Sequence, residues 1–197
     1  MIITVASNKG GVGKSTSAVH LADFFSARGP TLLIDGDLNR SALQWAKPGK
    51  LPFKVCDIDE GVMLSRDFEH VIIDTPARPT AAELAKLAKG CNLLIVPSTP
   101  DALSIGPLLQ MCKQLKGYDY KILLTMIPPR PNQSGNDARK AIASAKLPLF
   151  ESGIRRFECF KKAALAGVPV ADVKGDPKAG IAASCYRKVG EEILKDD

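Results

Sequence analysis

The stretch Ser7–Thr16, "SNKGGVGKST", decides the fold. It follows the apolar run Ile2-Ile3-Thr4-Val5-Ala6 and leads into "STSAVHLADFFSARG", where apolar residues recur at helical spacing until a closing Gly29. A buried strand, a glycine loop and a helix in that order form a phosphate cradle. Gly10, Gly11 and Gly13 let the backbone wrap closely around phosphate oxygens, and the helix beginning near Lys14 aims its N-terminal N–H groups at them. In the pattern G-x-x-x-x-G-K-[ST], Lys14 would bridge the β- and γ-phosphates and the Ser15 hydroxyl would ligate Mg²⁺. The stretch departs from the pattern at its first glycine, where Asn8 stands, and it carries an additional lysine, Lys9, directly before the glycine pair.

Working outward, the same alternation repeats. "TLLID", "FKVCDI", "HVIID", "NLLIVPS" and "YKILLTMIP" read as strands, and "LPLFES" as a short one. "SALQWA", "TAAELAKLAKG", "LSIGPLLQMCKQLKG", "NDARKAIASAK", "FECFKKAALAG" and "AGIAASCYRKVGEEILK" read as helices. Strands without in/out alternation, interleaved with helices, predict an α/β fold: a doubly wound, mostly parallel sheet with helices on both faces. With 197 residues and no internal repeat or linker, residues 1–197 are expected to form one domain. In such folds ligands bind at the carboxyl ends of the strands. Ser7–Lys14, Asp35–Asn39, Asp74–Pro76 and Pro97–Asp101 all fall there.

A phosphate loop needs an acidic partner on a neighbouring strand for the metal shell, and "HVIIDTPA" supplies Asp74 at the end of such a strand, the Walker B arrangement. "LLIDGDLNRSA" supplies a second acidic site, Asp35 and Asp37. Asp37 lies in the loop facing the nucleotide and is the choice for positioning the attacking water. Either aspartate could instead cap the following helix, as could Asn39 or Ser41. The loop "MIPPR" ends a strand beside the crevice, which points to Met126 and Pro128 for contacts with the base.

These residues resemble those of the ParA/MinD family of deviant Walker A ATPases. The family pattern K-G-G-x-G-K-[ST] is complete here as Lys9-Gly10-Gly11-Val12-Gly13-Lys14-Ser15, with Thr16 following. D-x-D (Asp35, Asp37), D-T-P (Asp74, Thr75, Pro76), "NLLIVPSTPD" and "SGIRRFECFKKAALAGVPV" extend the likeness along the whole chain, and the short length is closest to small ParA-type partition ATPases. The family usually has Pro-Gln after the second aspartate, whereas this chain has Leu38-Asn39. The resemblance implies ATP as the nucleotide, a homodimer with ATP sandwiched between the subunits, and Lys9 crossing to the partner's phosphates as an arginine finger would. It also implies sequence-independent binding of the ATP dimer to DNA, and a ParB-like or adaptor protein on a cargo that stimulates hydrolysis. That cargo would be a plasmid or a protein-based body such as a carboxysome.

The charge distribution fits such a partner. The net charge is +6, with the excess in the first and third quarters of the chain. Candidate DNA contacts are Arg130, Arg155, Arg156, Lys161 and Lys162, with Arg139, Lys140 and Lys146 beside Arg130. No apolar run approaches a membrane span and no leader precedes the first strand, so a cytoplasmic, nucleoid-associated protein is expected. A MinD-like membrane tail would need a basic amphipathic helix. "RKVGEEILKDD" is balanced in charge and ends on Asp196-Asp197, and Val189, Ile193 and Leu194 are expected to pack on the body. A metabolic P-loop enzyme is the alternative from another class, and it would need a second substrate pocket. The five scattered cysteines form no C-x-x-C pair and are expected to be reduced.

Overall fold

The computed structural model describes residues 1–196; Asp197, the last residue of the acidic tail, lies outside them. Six strands form one all-parallel sheet: β1 (Ile2–Ser7), β2 (Thr31–Asp35), β3 (Lys54–Asp57), β4 (His70–Ala77), β5 (Leu93–Ser98) and β6 (Tyr120–Leu124), in the order β3-β2-β4-β1-β5-β6. Continuous apolar sequence is what a strand covered on both faces needs, and every residue of "TLLID" is buried.

Helices α1 (Lys14–Ser26), α2 (Ser41–Ala46), α7 (Cys159–Ala166) and α8 (Ala179–Asp196) cover one face. Their core takes Ile3, Val5, Leu33, Ile72, Ile95 and Leu123 from the strands. The intervening side chains Ala6, Leu94, Val96, Ile122 and Leu124 point the other way, into a core under α4 (Ala81–Lys89), α5 (Ala102–Gln114) and α6 (Ser134–Ser144). In α8, Val189 and Ile193 are part of the first core as expected, but Leu194 remains exposed.

Three sequence expectations change. "FKVCDI" is a strand only to Asp57; the chain then turns into a helix, α3 (Ile58–Leu64), that was not anticipated. The signal was present, because Asp57 accepts a hydrogen bond from the Glu60 N–H, an N-cap with acidic residues in the first turn. "YKILLTMIP" ends as a strand at Leu124, and Met126 takes a left-handed conformation that turns the chain over the crevice. "LPLFES" forms no strand; Leu149 makes one isolated bridge to Ile122, so this segment shields the β6 edge without extending the sheet.

The chain leaves β1 by α1 and passes over β4 to reach β2, whereas α4 carries it from β4 across β1 to β5. The winding therefore reverses at β1. The loop after β1 opens into that crevice, where α/β sheets bind ligands.

Candidate functional site

The loop from Ser7 to Gly13 is anchored at both ends. The Ser7 hydroxyl donates to the Lys9 carbonyl at 2.8 Å, and the Thr125 hydroxyl donates to the Val12 carbonyl at 2.8 Å, tying the loop to the end of β6. Gly13 starts α1 at φ 84°, a left-handed conformation that strains any residue with a side chain. Gly10, Gly11, Gly13, Lys14, Ser15 and Thr16 all line a cavity of about 730 Å³, and Asp37 faces them across it. Lys14 is only 6% exposed, and its Nζ lies 3.9 Å from Asp37 Oδ2. A buried ammonium with one distant carboxylate for company suits an incoming phosphate.

Lys9 behaves differently. It does not line that cavity; its Nζ donates to Ser104 Oγ at 2.7 Å and to Asp101 Oδ1 at 3.4 Å, at the start of α5. Hydrogen bonds from Thr99 and Ser104, together with the Lys9 charge, hold the Asp101 carboxyl down at about 2. The two lysines of the loop thus have separate addresses: Lys14 lines the cavity, and Lys9 points away from it to the start of α5.

The three aspartates also divide. Asp35, at the end of β2, and Asp74, three residues before the end of β4, stand in register on neighbouring strands, both buried. Asp35 is fully occupied: it accepts from the Asp37 N–H at 3.1 Å and from the Leu43 N–H at 2.9 Å. It thereby ties the loop to the first turn of α2, the capping role that the sequence left open between the two aspartates. Asp37 holds the N–H and side-chain amide of Asn39 on one oxygen and turns the other to Lys14. Asn39 therefore steadies Asp37 and does not cap α2.

Asp74 has no hydrogen-bond partner on either carboxylate oxygen. Burial, with Asp35 and Asp37 nearby, pushes its carboxyl up to about 6, and the Ser15 hydroxyl and Lys14 only partly offset this. A buried, orphaned carboxylate beside a loop hydroxyl is a donor set that fits Mg²⁺, with Ser15 as a direct ligand and Asp74 in its shell.

Next to the phosphate cavity lies a narrower and more apolar one of about 360 Å³. Met126 lines both cavities, and Pro128 lines neither. Ile154, Arg155, Arg156 and Phe157 complete the mouth, above a floor of Trp45, Phe160 and Tyr186. Sequence reading reached Met126 but missed Ile154 and Phe157, because the Ile127 and Ile154 backbones meet only through a long-range pairing. His20 packs beneath, stacked on Tyr186 with centroids 4.9 Å apart. Its Nε2 accepts the Val170 N–H at 3.1 Å while Nδ1 meets the Thr16 carbonyl at 2.7 Å, an arrangement that requires the neutral ring. Burial lowers its pKa to about 4.

The basic residues do not form one free surface. Lys161 pairs with Glu158 at 2.9 Å and Lys162 with Asp176 at 2.8 Å, while Arg139 donates to the Phe150 carbonyl. Arg155 and Arg156 are exposed and line the apolar cavity. Arg130 is exposed outside both cavities.

A glycine loop at the winding reversal, with a buried lysine, a facing aspartate and an orphaned carboxylate, defines a P-loop nucleotide-binding protein of the parallel α/β class. The profile of the CobQ/CobB/MinD/ParA nucleotide-binding domain matches residues 3–170, and the chain belongs to that ParA/MinD family. It is 30% identical, over 99% of its length and 94% of the relative's, to the maintenance of carboxysome distribution protein A of Gloeobacter kilaueensis. It is 30% identical to protein ParA of Rhizobium radiobacter over 65% of each chain. Among solved structures, a plasmid partition protein of Borrelia burgdorferi bound to AMPPNP superposes with a TM-score of 0.76 at 19% identity, covering 100% of this chain and 99% of that one. The MinD cell division protein of Aquifex aeolicus gives 0.72 at 16% identity, covering 100% and 98%. These two likenesses establish the fold.

Proposed function

We propose that this protein is an Mg²⁺-dependent ATPase switch of the ParA type, formed by residues 1–197 as one domain. Its ATP-bound homodimer binds DNA without sequence preference and positions a cargo. The observation that carries this reading is the separation of the two lysines. Lys14, with the N–H groups of Gly10–Thr16, serves the phosphates of its own subunit. Lys9 lies outside that cavity, against Ser104 and Asp101, and serves the phosphates of a facing subunit. Dimerisation then exchanges the Ser104 and Asp101 contacts of Lys9 for a contact with phosphate, so a monomer holding ATP lacks part of the charge neutralisation that hydrolysis needs.

Bound Mg²⁺ supplies neutralisation of phosphate charge, and Ser15 and Asp74 are the residues to hold it. Asp37 orients the attacking water, with Asn39 fixing its carboxylate. Met126 and the apolar cavity take the adenine. Arg130 and Arg156 are the foremost DNA contacts, because Lys161 and Lys162 already carry ion pairs. The likeness to a carboxysome distribution protein and to ParA supports a carboxysome-like body or a plasmid as cargo, with a cargo-borne partner that stimulates turnover at the nucleoid. The burial of Val189 and Ile193 on the body argues against a membrane-seeking C-terminal helix.

The test is sedimentation and phosphate release of two variants. Asp37→Ala is expected to bind ATP and dimerise while hydrolysis falls at least about a hundredfold, the usual scale for loss of a group that positions the reactant. Lys9→Ala is expected to bind ATP yet remain monomeric. Retained turnover in the first, or a normal ATP dimer in the second, would remove the corresponding role.

A further inference from the structure

Trp45 is the single tryptophan of the chain, and it stands where the two cavities meet. It lines both the phosphate cavity and the apolar one, although only 5% of it is exposed. Its inner side is fully engaged. The indole N–H donates to the Val168 carbonyl at 3.0 Å, and the ring meets His20 edge-on with centroids 5.5 Å apart. Those contacts account for a core tryptophan. They do not account for its other side, which fronts about 360 Å³ of open space beside the phosphate loop.

The helix that carries Trp45 also holds the Asp37 loop. α2 has six residues, fewer than two turns, and moves as one piece. The two residues before Trp45 both reach into the loop. The Leu43 N–H donates to Asp35 Oδ2 at 2.9 Å, and the Gln44 side-chain amide donates to the Asn39 carbonyl at 3.0 Å. Asn39 in turn gives its N–H and its side-chain amide to Asp37 Oδ1, each at 3.0 Å. Just beyond the helix, Pro48 packs so closely on Gly167 that a Cβ there would collide with the proline ring. α2 is therefore pinned behind and joined in front to the residue that faces Lys14. A displacement of Trp45 is passed through Gln44 and Asn39 to Asp37.

We infer that Trp45 is a positioning residue: a nucleobase seated in the apolar cavity bears on its ring, and α2 carries that contact through Gln44 and Asn39 to Asp37, so that full turnover requires a base as well as phosphates. The inference rests on the reading of the site as an ATPase with its base beside Met126. Phosphates alone fill the neighbouring cavity and leave the open side of the ring unpacked. A base supplies the missing dispersion contacts and fixes the helix. Misplacement of a reacting group by about 1 Å is enough to cost on the order of a hundredfold in rate, so a small movement of α2 has a large readout.

The test uses the full chain with Mg²⁺ and two substrates, ATP and ribose 5-triphosphate, which offers phosphates and sugar without a base. Tryptophan emission reports Trp45 alone, and phosphate release gives kcat and KM. In the parent, ATP and ADP are expected to shift the emission and ribose 5-triphosphate to leave it unchanged, with kcat for ATP at least about tenfold higher. Gln44 is exposed, so Gln44→Ala cuts the link without touching the core. It is expected to keep the melting temperature, the KM for ATP and the emission shift, while kcat for ATP falls to within about twofold of the base-less rate. Trp45→Leu is expected to lose the same advantage. A direct role of Gln44 at the phosphates would instead lower both rates and keep their ratio. That retained ratio, equal kcat for the two substrates in the parent, or emission that answers ribose 5-triphosphate as it answers ATP would each overturn the inference. Absence of phosphate release from ATP by the parent, with or without DNA, would overturn the ATPase reading instead. The emission would then decide alone whether a base reaches Trp45.

Discussion

The neighbouring strands β2 and β4 place two buried aspartates side by side, and the two could hardly be used more differently. Asp35 has spent both carboxylate oxygens on backbone N–H groups of its own subunit, whereas Asp74, one strand away, has spent neither. The first is fully hydrogen-bonded within the fold and serves as a joint between loop and helix. The second is left with a desolvation cost that Ser15 and Lys14 offset only in part, and its carboxyl rises to about 6. Identical residue types at equivalent positions are thus told apart by what remains unsatisfied, because a buried polar group without a partner marks where a ligand supplies one.

The comparison can be broken from either side. Asp35→Ala removes two charge-assisted hydrogen bonds and leaves the Asp37 and Leu43 N–H groups without partners, and is expected to cost about 3–4 kcal/mol. Urea unfolding measures it, and a cost below about 1 kcal/mol would contradict the joint. Asp74→Asn should act in the opposite direction in nucleotide-free protein under chelator. A carboxyl raised from 3.8 to about 6 contributes stability at low pH that is lost as pH rises through its folded value. The substitution is therefore expected to stabilise by about 3 kcal/mol above pH 7 and by little at pH 4, while ATP binding loses its dependence on Mg²⁺.

His20 sharpens the comparison as a buried group satisfied on both sides, but only when neutral. Its folded pKa of about 4 lies below the ordinary 6.5, so its contribution is complete above pH 6.5 and is lost as pH falls through 4. The loss across that window is about 3 kcal/mol. A titration of stability against pH is expected to show it in the parent and not in His20→Gln; the same acid slope in both would assign it elsewhere.

Legibility in the sequence followed how local each cause was. The glycine loop, the placement of Asp37 and Asp74 beside it, and the parallel sheet were readable because glycine positions, apolar runs and caps lie within a few residues of one another. α3 was lost because "FKVCDI" carried strand-like residues past Asp57, and because Gly61 lowers helical propensity. Its reason for being there is close packing on Ile34, a contact made across the sheet edge. Ile154 and Phe157 as neighbours of Met126, and Ser104 as the holder of Lys9, depend on pairings between distant segments that no short window contains. The division of labour between Asp35 and Asp74 is of the same kind, since both follow an apolar run and only the finished structure shows which one has partners.

The central claim, a nucleotide-gated DNA carrier, is tested most directly with Asp37→Ala, which is expected to hold ATP without consuming it. Its binding to random-sequence duplex DNA is to be measured with ATP, with ADP and without nucleotide, at low and at moderate salt, beside the same protein carrying Arg130→Glu. The expected result is binding with ATP alone, weakened steeply by salt, and weakened further by Arg130→Glu while the ATP dimer persists. Equal binding in all nucleotide states, or none while ATP is still held, would contradict it.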